Sequence, residues 1–293
     1  VAETIDISKP NFIGLKSTAV DPVVMEFQEG LLLLEELQTL LVDKCSGGSD
    51  SYGITYMDEY KTNRVLSLTP IEKNPKYDET IVKVSVCHNR YSTNKNKSKE
   101  SFYNEIQPIF YQNKNIEFDL VHNGNITNVE SYTKSYDPNK SDTQNIMSFF
   151  DDMEQDNVES KIKDFIRSIQ CSYSIAIMIN DTIYAFRDSY GYKPLYLGTI
   201  CDNYCVVSED YVENFNKIRN INPGEIVRID KGGCTTIYER GNVLELTCIF
   251  EYIYFMNENS SYNDHNSVYN IRKKLGYNLG SLEKNNFDPQ NTI

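Results

Sequence analysis

The chain has 293 residues, 40% hydrophobic and 12% aromatic, which suffices to fill one large core or two ordinary ones. Its 29 basic and 42 acidic residues give a net charge of −13 with no basic stripe, so nucleic acid is not an expected partner. Apolar runs such as 31–34 and 174–179 fall far short of the roughly 20 residues of a membrane span, and residues 1–9 do not read as a secretion signal. A soluble, cytoplasmic protein with no membrane partner is expected. The seven cysteines show neither a CxxC pair nor zinc spacing, which predicts reduced thiols serving mainly as small core residues, with Cys45 alone in a loop-like setting. No metal site and no cofactor are expected.

In chain order, apolar residues at helical spacing over 25–42 predict a helix that closes into a Ser- and Gly-rich loop at 43–50. Runs of β-branched and aromatic residues at 52–57, 65–68, 81–87 and 116–121 predict strands. Residues 93–105 are polar and without period, which predicts a surface loop. Ile146, Phe149, Phe150 and Met153 share one helical face, and Ile162, Phe165, Ile166 and Ile169 repeat the pattern over 158–169. Further strands are predicted at 173–179, 182–186, 194–198, 204–208 and 225–229, punctuated by Asn180-Asp181, Gly191 and Pro223-Gly224. Strands, then helices, then strands, without regular βαβ crossovers, argue for a layered α+β architecture.

Polar segments follow several of these strands, where small ligands are commonly met. Arg90, just beyond the strand ending at Cys87, offers a planar fork suited to a carboxylate. After the strand at 116–121 come His122, Asn123, Gly124 and Asn125, and an Asn side-chain amide beside an uncrowded glycine N–H is how an oxyanion hole is built. Asp142 precedes a helix, placed either to cap it or to hold an ammonium group. Gln107-Pro108 lies between these segments. The acidic run Asp151, Asp152, Glu154 and Asp156 reads as a solvated helix face.

The ordered series NRYST (89–93), QP (107–108), HNGNITN (122–128), SDT (141–143), RDSYGYKPLYLG (187–198), VSE (207–209), NPGE (222–225) and CIFEYIYF (248–255) closely resembles the glutamine amidotransferase domain of amidophosphoribosyltransferase. The resemblance runs from about Phe12 to about Leu282. It implies a four-layer αββα sandwich of the N-terminal nucleophile hydrolase type. It also implies that Arg90 holds the α-carboxylate of glutamine and Asp142 its α-ammonium, and that Asn123 with the Gly124 N–H forms the oxyanion hole. Thr93 and His122 complete the implied substrate-binding set.

The sequence departs from the family pattern in three places. The family opens on a catalytic cysteine whose α-amino group is its general base, and alignment of 10–15 with that opening puts Pro10 at the cysteine's position. Gly47 stands where the family has an arginine. The chain ends about where the family's phosphoribosyltransferase domain begins, so 1–245 is expected to be the amidotransferase-like domain and 246–293 a tail resembling the linker into that domain. An opening valine is expected of a processed, excised or truncated product. The leading expectation is a glutamine-binding relative silent in hydrolysis. The alternatives are an active glutaminase or amidotransferase subunit whose nucleophile comes from processing or a different start, and a structural scaffold. Glutamine or a similar amino acid is the expected partner, beside a homo-oligomer or a partner chain carrying a phosphoribosyltransferase domain.

Overall fold

A computed structural model describes residues 22–26, 32–33, 51–68, 81–90, 99–200, 203–212, 215–241, 244–262 and 266–283. Two antiparallel sheets dominate. One has seven strands in the order β13-β11-β12-β1-β6-β3-β4, the other six in the order β15-β14-β10-β9-β8-β7. In the first, β1 (Pro22–Glu26) lies between β6 (Val84–Arg90) and β12 (Asn203–Val207). β6 is flanked on its other side by β3 (Ser51–Met57), which pairs with β4 (Thr62–Ser67); β11 (Tyr196–Ile200) and β13 (Asn216–Asn220) extend the opposite edge. The second sheet runs from β7 (Ile109–Gln112) and β8 (Glu117–Asn125) through β9 (Ser172–Ile179), β10 (Thr182–Arg187) and β14 (Ile226–Asp230) to β15 (Gly233–Tyr238).

The alternation of side chains explains the layering. On β9 and β10, Ala176, Met178, Ile183 and Ala185 face the other sheet and meet Val84, Val86, Leu197 and Val206 there. The opposite face carries the larger Tyr173, Ile175, Ile177 and Phe186, which pack under α2 (Asp142–Ile146), the short 3-10 turn Met147–Phe150 and α3 (Val158–Ser168). Phe165 of α3 stacks on Phe150 with ring centroids 5.3 Å apart. Both faces of these strands are therefore covered, so their sequences read as continuous apolar runs instead of alternating ones. Beyond the seven-stranded sheet, Ile54, Cys87, Tyr196 and Val207 are covered by Tyr252, Met256, Tyr262 and Val268, drawn from the π-helical turn Glu251–Phe255, the following segment and α4 (Val268–Glu283). The result is the expected α+β sandwich, with two sheets inside and helical segments outside.

Several local expectations are corrected. The helix predicted over 25–42 gives way to strand at both of its described pieces: Met25 and Glu26 belong to β1, and β2 (Leu32–Leu33) pairs with β5 (Ile81–Val82). The β-branched Val23 and Val24, inserted between two strands that each offer ladder partners, outweigh the helical periodicity. Residues 34–50, with Cys45 and Gly47, lie outside the described residues. The loop predicted at 93–105 contains α1 (Lys99–Asn104), one short helix without an apolar stripe to announce it. The strands expected to end at Cys87 and Val121 continue to Arg90 and Asn125, because Arg90 still finds Ser51 opposite and Asn125 still finds Ser172. The site residues at these two strand ends thus lie on ladders and not in the loops beyond them.

Candidate functional site

The ends of β6 and β8 open on a cavity of about 600 Å³ whose wall includes Arg90, Asn123, Gly124 and Asp142, closed on another side by Lys193 and Glu251. Its lining carries the cations Arg90 and Lys193 against the carboxylates Glu105, Asp142, Glu209 and Glu251. That balance disfavours a simple anion and suits a ligand bearing its own positive charge beside a carboxylate.

The outer edge of β8 shows how the strand supplies a donor. The His122 N–H donates to Gln107 Oε1 at 2.6 Å, so it points away from β9. Backbone N–H groups on an antiparallel strand alternate in direction, so Gly124 and Ile126 point the same way. Ile126 N–H donates to Asp142 Oδ2 at 2.9 Å. Tyr173, opposite Gly124, donates its N–H to Asp188 Oδ2 and receives the Asp188 N–H on its carbonyl, so it turns both groups away from β8. Among the described residues, the Gly124 N–H is left without a ladder partner on the outer edge, beside Asn123. Only glycine fits at 124: a Cβ there would stand 2.3 Å from the Ser172 carbonyl oxygen and 2.7 Å from Tyr173 Cα.

Arg90 Nη2 pairs with Glu105 Oε2 at 2.5 Å, and among the described residues this is the only ion pair of its guanidinium. Asp142 is the first residue of α2, not its cap. The cap is Ser141, whose hydroxyl accepts from the Gln144 N–H while the Gln144 side chain accepts from the Ser141 N–H. Asp142 instead accepts the N–H groups of Ile126 and Thr143, at 2.9 and 2.8 Å, which aims its carboxylate at the cavity mouth. Among the described residues, a cation edge with no further ion pair, a carboxylate and an N–H with no ladder partner thus surround a single space.

Residues 89–212 match the family model described as a glutamine amidotransferase domain. The chain is 32% identical to the amidophosphoribosyltransferase of Escherichia coli over 223 residues, which is 67% of this chain and 43% of that protein. It is 27% identical to that of Archaeoglobus fulgidus over 242 residues, 78% of this chain and 52% of the relative. Among solved structures, glutamine phosphoribosylpyrophosphate amidotransferase from B. subtilis superposes with a TM-score of 0.72 at 23% identity, covering 90% of this chain and 58% of that one, a likeness of fold. The chain carries a glutamine amidotransferase domain related to that of amidophosphoribosyltransferase. It spans about half the length of the curated relatives that it matches.

Of the expected site residues, the amidotransferase domain brings Arg90, His122, Asn123, Gly124 and Asp142 to one cavity. Thr93 and Pro10 lie outside the described residues. β1 lies beside β6, and its first residue, Pro22, pairs with His88, which lines the cavity. His122 is buried, and its Nδ1 lies 2.9 Å from Thr143 Oγ1, behind the open edge. Burial holds its pKa below the ordinary histidine value, against the pull of Asp142.

Four further residues of the domain were not singled out as site residues from sequence. His88 is 0% exposed; the ring makes no hydrogen bond of full geometry among the described residues, and the backbone of His122 is close enough to offset part of the burial. Burial first, then Arg90, lowers its pKa to about 3, so it stands neutral. Glu105 orients Arg90 from beyond α1, and Gln107 holds β8. Lys193 pairs with Glu251 at 2.6 Å, and the ammonium also sits 4.4 Å from the centre of the Phe255 ring. The i+2 spacing of His88 and Arg90 on one strand face was a legible signal; the pairing of Arg90 with Glu105 was not. Cys248, half-buried, lines the cavity, whereas Cys87 on the outer face of β6 is pushed up to about 12 by burial and stays a thiol.

Proposed function

We propose that this domain binds glutamine, or a closely similar amino acid, without hydrolysing it. The observation that carries the reading is the outer edge of β8: a Gly124 N–H with no partner among the described residues beside Asn123, with Arg90 and Asp142 on the same cavity. The α-carboxylate meets Arg90, the α-ammonium meets Asp142, and the side-chain carbonyl meets Asn123 and Gly124. A cavity with more carboxylates than cations supports a zwitterion over an anion. The absence of hydrolysis rests on the sequence pattern. Pro10 takes the place that the family gives to its cysteine, and β1 likewise opens on a proline, with neither thiol nor hydroxyl.

Residues 246–293 are, in this reading, a tail that resembles the linker into a phosphoribosyltransferase domain, carried by a partner chain. Exposed Ile249, Phe250, Ile253, Leu279 and Leu282 support that reading. The tail's first half is anchored on the core, where Tyr196 donates its hydroxyl to the Ser261 carbonyl and Lys193 pairs with Glu251, and Arg272 ties α4 back to it by donating to the carbonyls of Tyr252 and Met256. A reducing, cytoplasmic setting suits the five free cysteines among the described residues.

Calorimetric titration with glutamine, with ammonia measured in the same samples, tests the function. Saturable binding without ammonia is the expected outcome. Ammonia above background would overturn the silent reading in favour of an active glutaminase. Neither binding nor ammonia would leave the fold as a scaffold.

A further inference from the structure

The outer edge of β8 carries three N–H groups in a row, and their partners differ in kind. His122 donates to the Gln107 side chain at 2.6 Å, Ile126 donates to Asp142, and Gly124 between them is open. An edge of this sort is ordinarily completed by a neighbouring strand. Here β7 pairs with β8 only as far as Ile109 opposite Leu120, and the residue before it, Pro108, has no N–H to give.

We propose that Gln107 is the positioning residue of the oxyanion site: its carboxamide oxygen stands in for the missing strand and holds β8 so that the Gly124 N–H faces the side-chain carbonyl of the ligand. The inference rests on the glutamine-binding reading above and extends it to the recognition of the side-chain amide. Gln107 is 6% exposed, so its amide is set by packing. β3 lies hard against it, since a Cβ on Gly53 would stand 2.2 Å from the Gln107 carbonyl oxygen. A full strand at this edge would cover the Gly124 N–H, whereas one side chain anchors His122 and leaves the next outward donor free. The α-carboxylate and α-ammonium are held elsewhere, by Arg90 and Asp142, so the effect of Gln107 is confined to the ligand's side-chain end.

The full chain is compared with Gln107→Met, which keeps length and loses the acceptor, and Gln107→Glu, which keeps an acceptor oxygen. Affinities are measured for glutamine and for norvaline, which has the same α groups and no carbonyl. Gln107→Met is expected to weaken glutamine about tenfold and norvaline less than twofold, the size expected for one misplaced hydrogen bond. Equal weakening of both ligands, or no change in either, would overturn the proposal.

Amide hydrogen exchange followed by NMR gives a reading that needs no ligand. The His122 amide is expected to be protected in the parent and in Gln107→Glu and to exchange at least tenfold faster in Gln107→Met; unchanged protection in Gln107→Met would overturn the positioning role. If the parent binds neither amino acid, the glutamine-binding reading falls and takes the ligand assignment with it, while the exchange data still decide whether Gln107 holds β8.

Discussion

Arg90 and Glu105 form a 2.5 Å ion pair in which Glu105 is only 2% exposed and Arg90 is 16% exposed, so the group proposed to hold the ligand's carboxylate is itself aimed by a buried acid. Removing the arginine alone takes its cation away from that buried acid. Arg90→Gln is expected to destabilise the fold by about 3–5 kcal/mol, and Arg90→Gln with Glu105→Gln by clearly less. Denaturant unfolding measures both. Calorimetry should show that glutamine binding is lost in each, which separates the loss of a ligand contact from the loss of the fold.

Asp142 accepts two backbone N–H groups and, in the proposed complex, the ligand's ammonium. Asp142→Asn keeps one oxygen acceptor at the start of α2, so a stability loss of about 1 kcal/mol is expected. Glutamine affinity should fall at least about tenfold. The monoamide of glutaric acid, which lacks the ammonium, should bind the parent and the variant alike; unequal binding would place Asp142 in a general structural role.

Gly124→Ala brings a methyl group against the Ser172 carbonyl oxygen and Tyr173 Cα, at 2.3 and 2.7 Å, with backbone on the β9 side that cannot rotate away. The β8–β9 ladder must spread, and a loss of about 2–4 kcal/mol is expected. A thermal midpoint unchanged within about 1 °C would contradict this packing.

His88 is the group whose titration should be visible in stability. Its folded-state pKa is lowered to about 3 by burial, against about 6.5 in the unfolded chain. Between those values the unfolded state binds the extra proton. The stability is therefore fully present above about pH 6.5 and is lost as the pH falls towards 3. His88→Phe removes the titrating group and keeps a planar ring. It is expected to flatten the fall in melting temperature between about pH 6.5 and 4 relative to the parent. Parallel curves would show that His88 is not held neutral.

Much of the fold was legible from the apolar runs. Tyr173, Ile175 and Ile177 announce β9 because both of its faces are buried, and Ile162, Phe165 and Ile166 announce α3 because only one face is. The edge strands β7, β13 and β15, with their polar and half-exposed residues, gave no such signal. Met25 and Leu32 were misread as helical because their spacing fits a helix as well as it fits two short strands, and only their partners, Ser85 and Val82, decide between the two.

The sequence by itself determined the ordered motifs, and through them the family resemblance and the set Arg90, Asn123, Gly124 and Asp142. Those residue types carry their chemistry with them: a fork, an amide, an uncrowded N–H and a carboxylate. Only the tertiary structure decided which N–H of β8 is open, that Glu105 aims Arg90, that Ser141 and not Asp142 caps α2, and that Gln107 closes an edge where no strand does. Each of those facts depends on which backbone groups are already paired and on contacts between segments distant in sequence. No local pattern of residues encodes either.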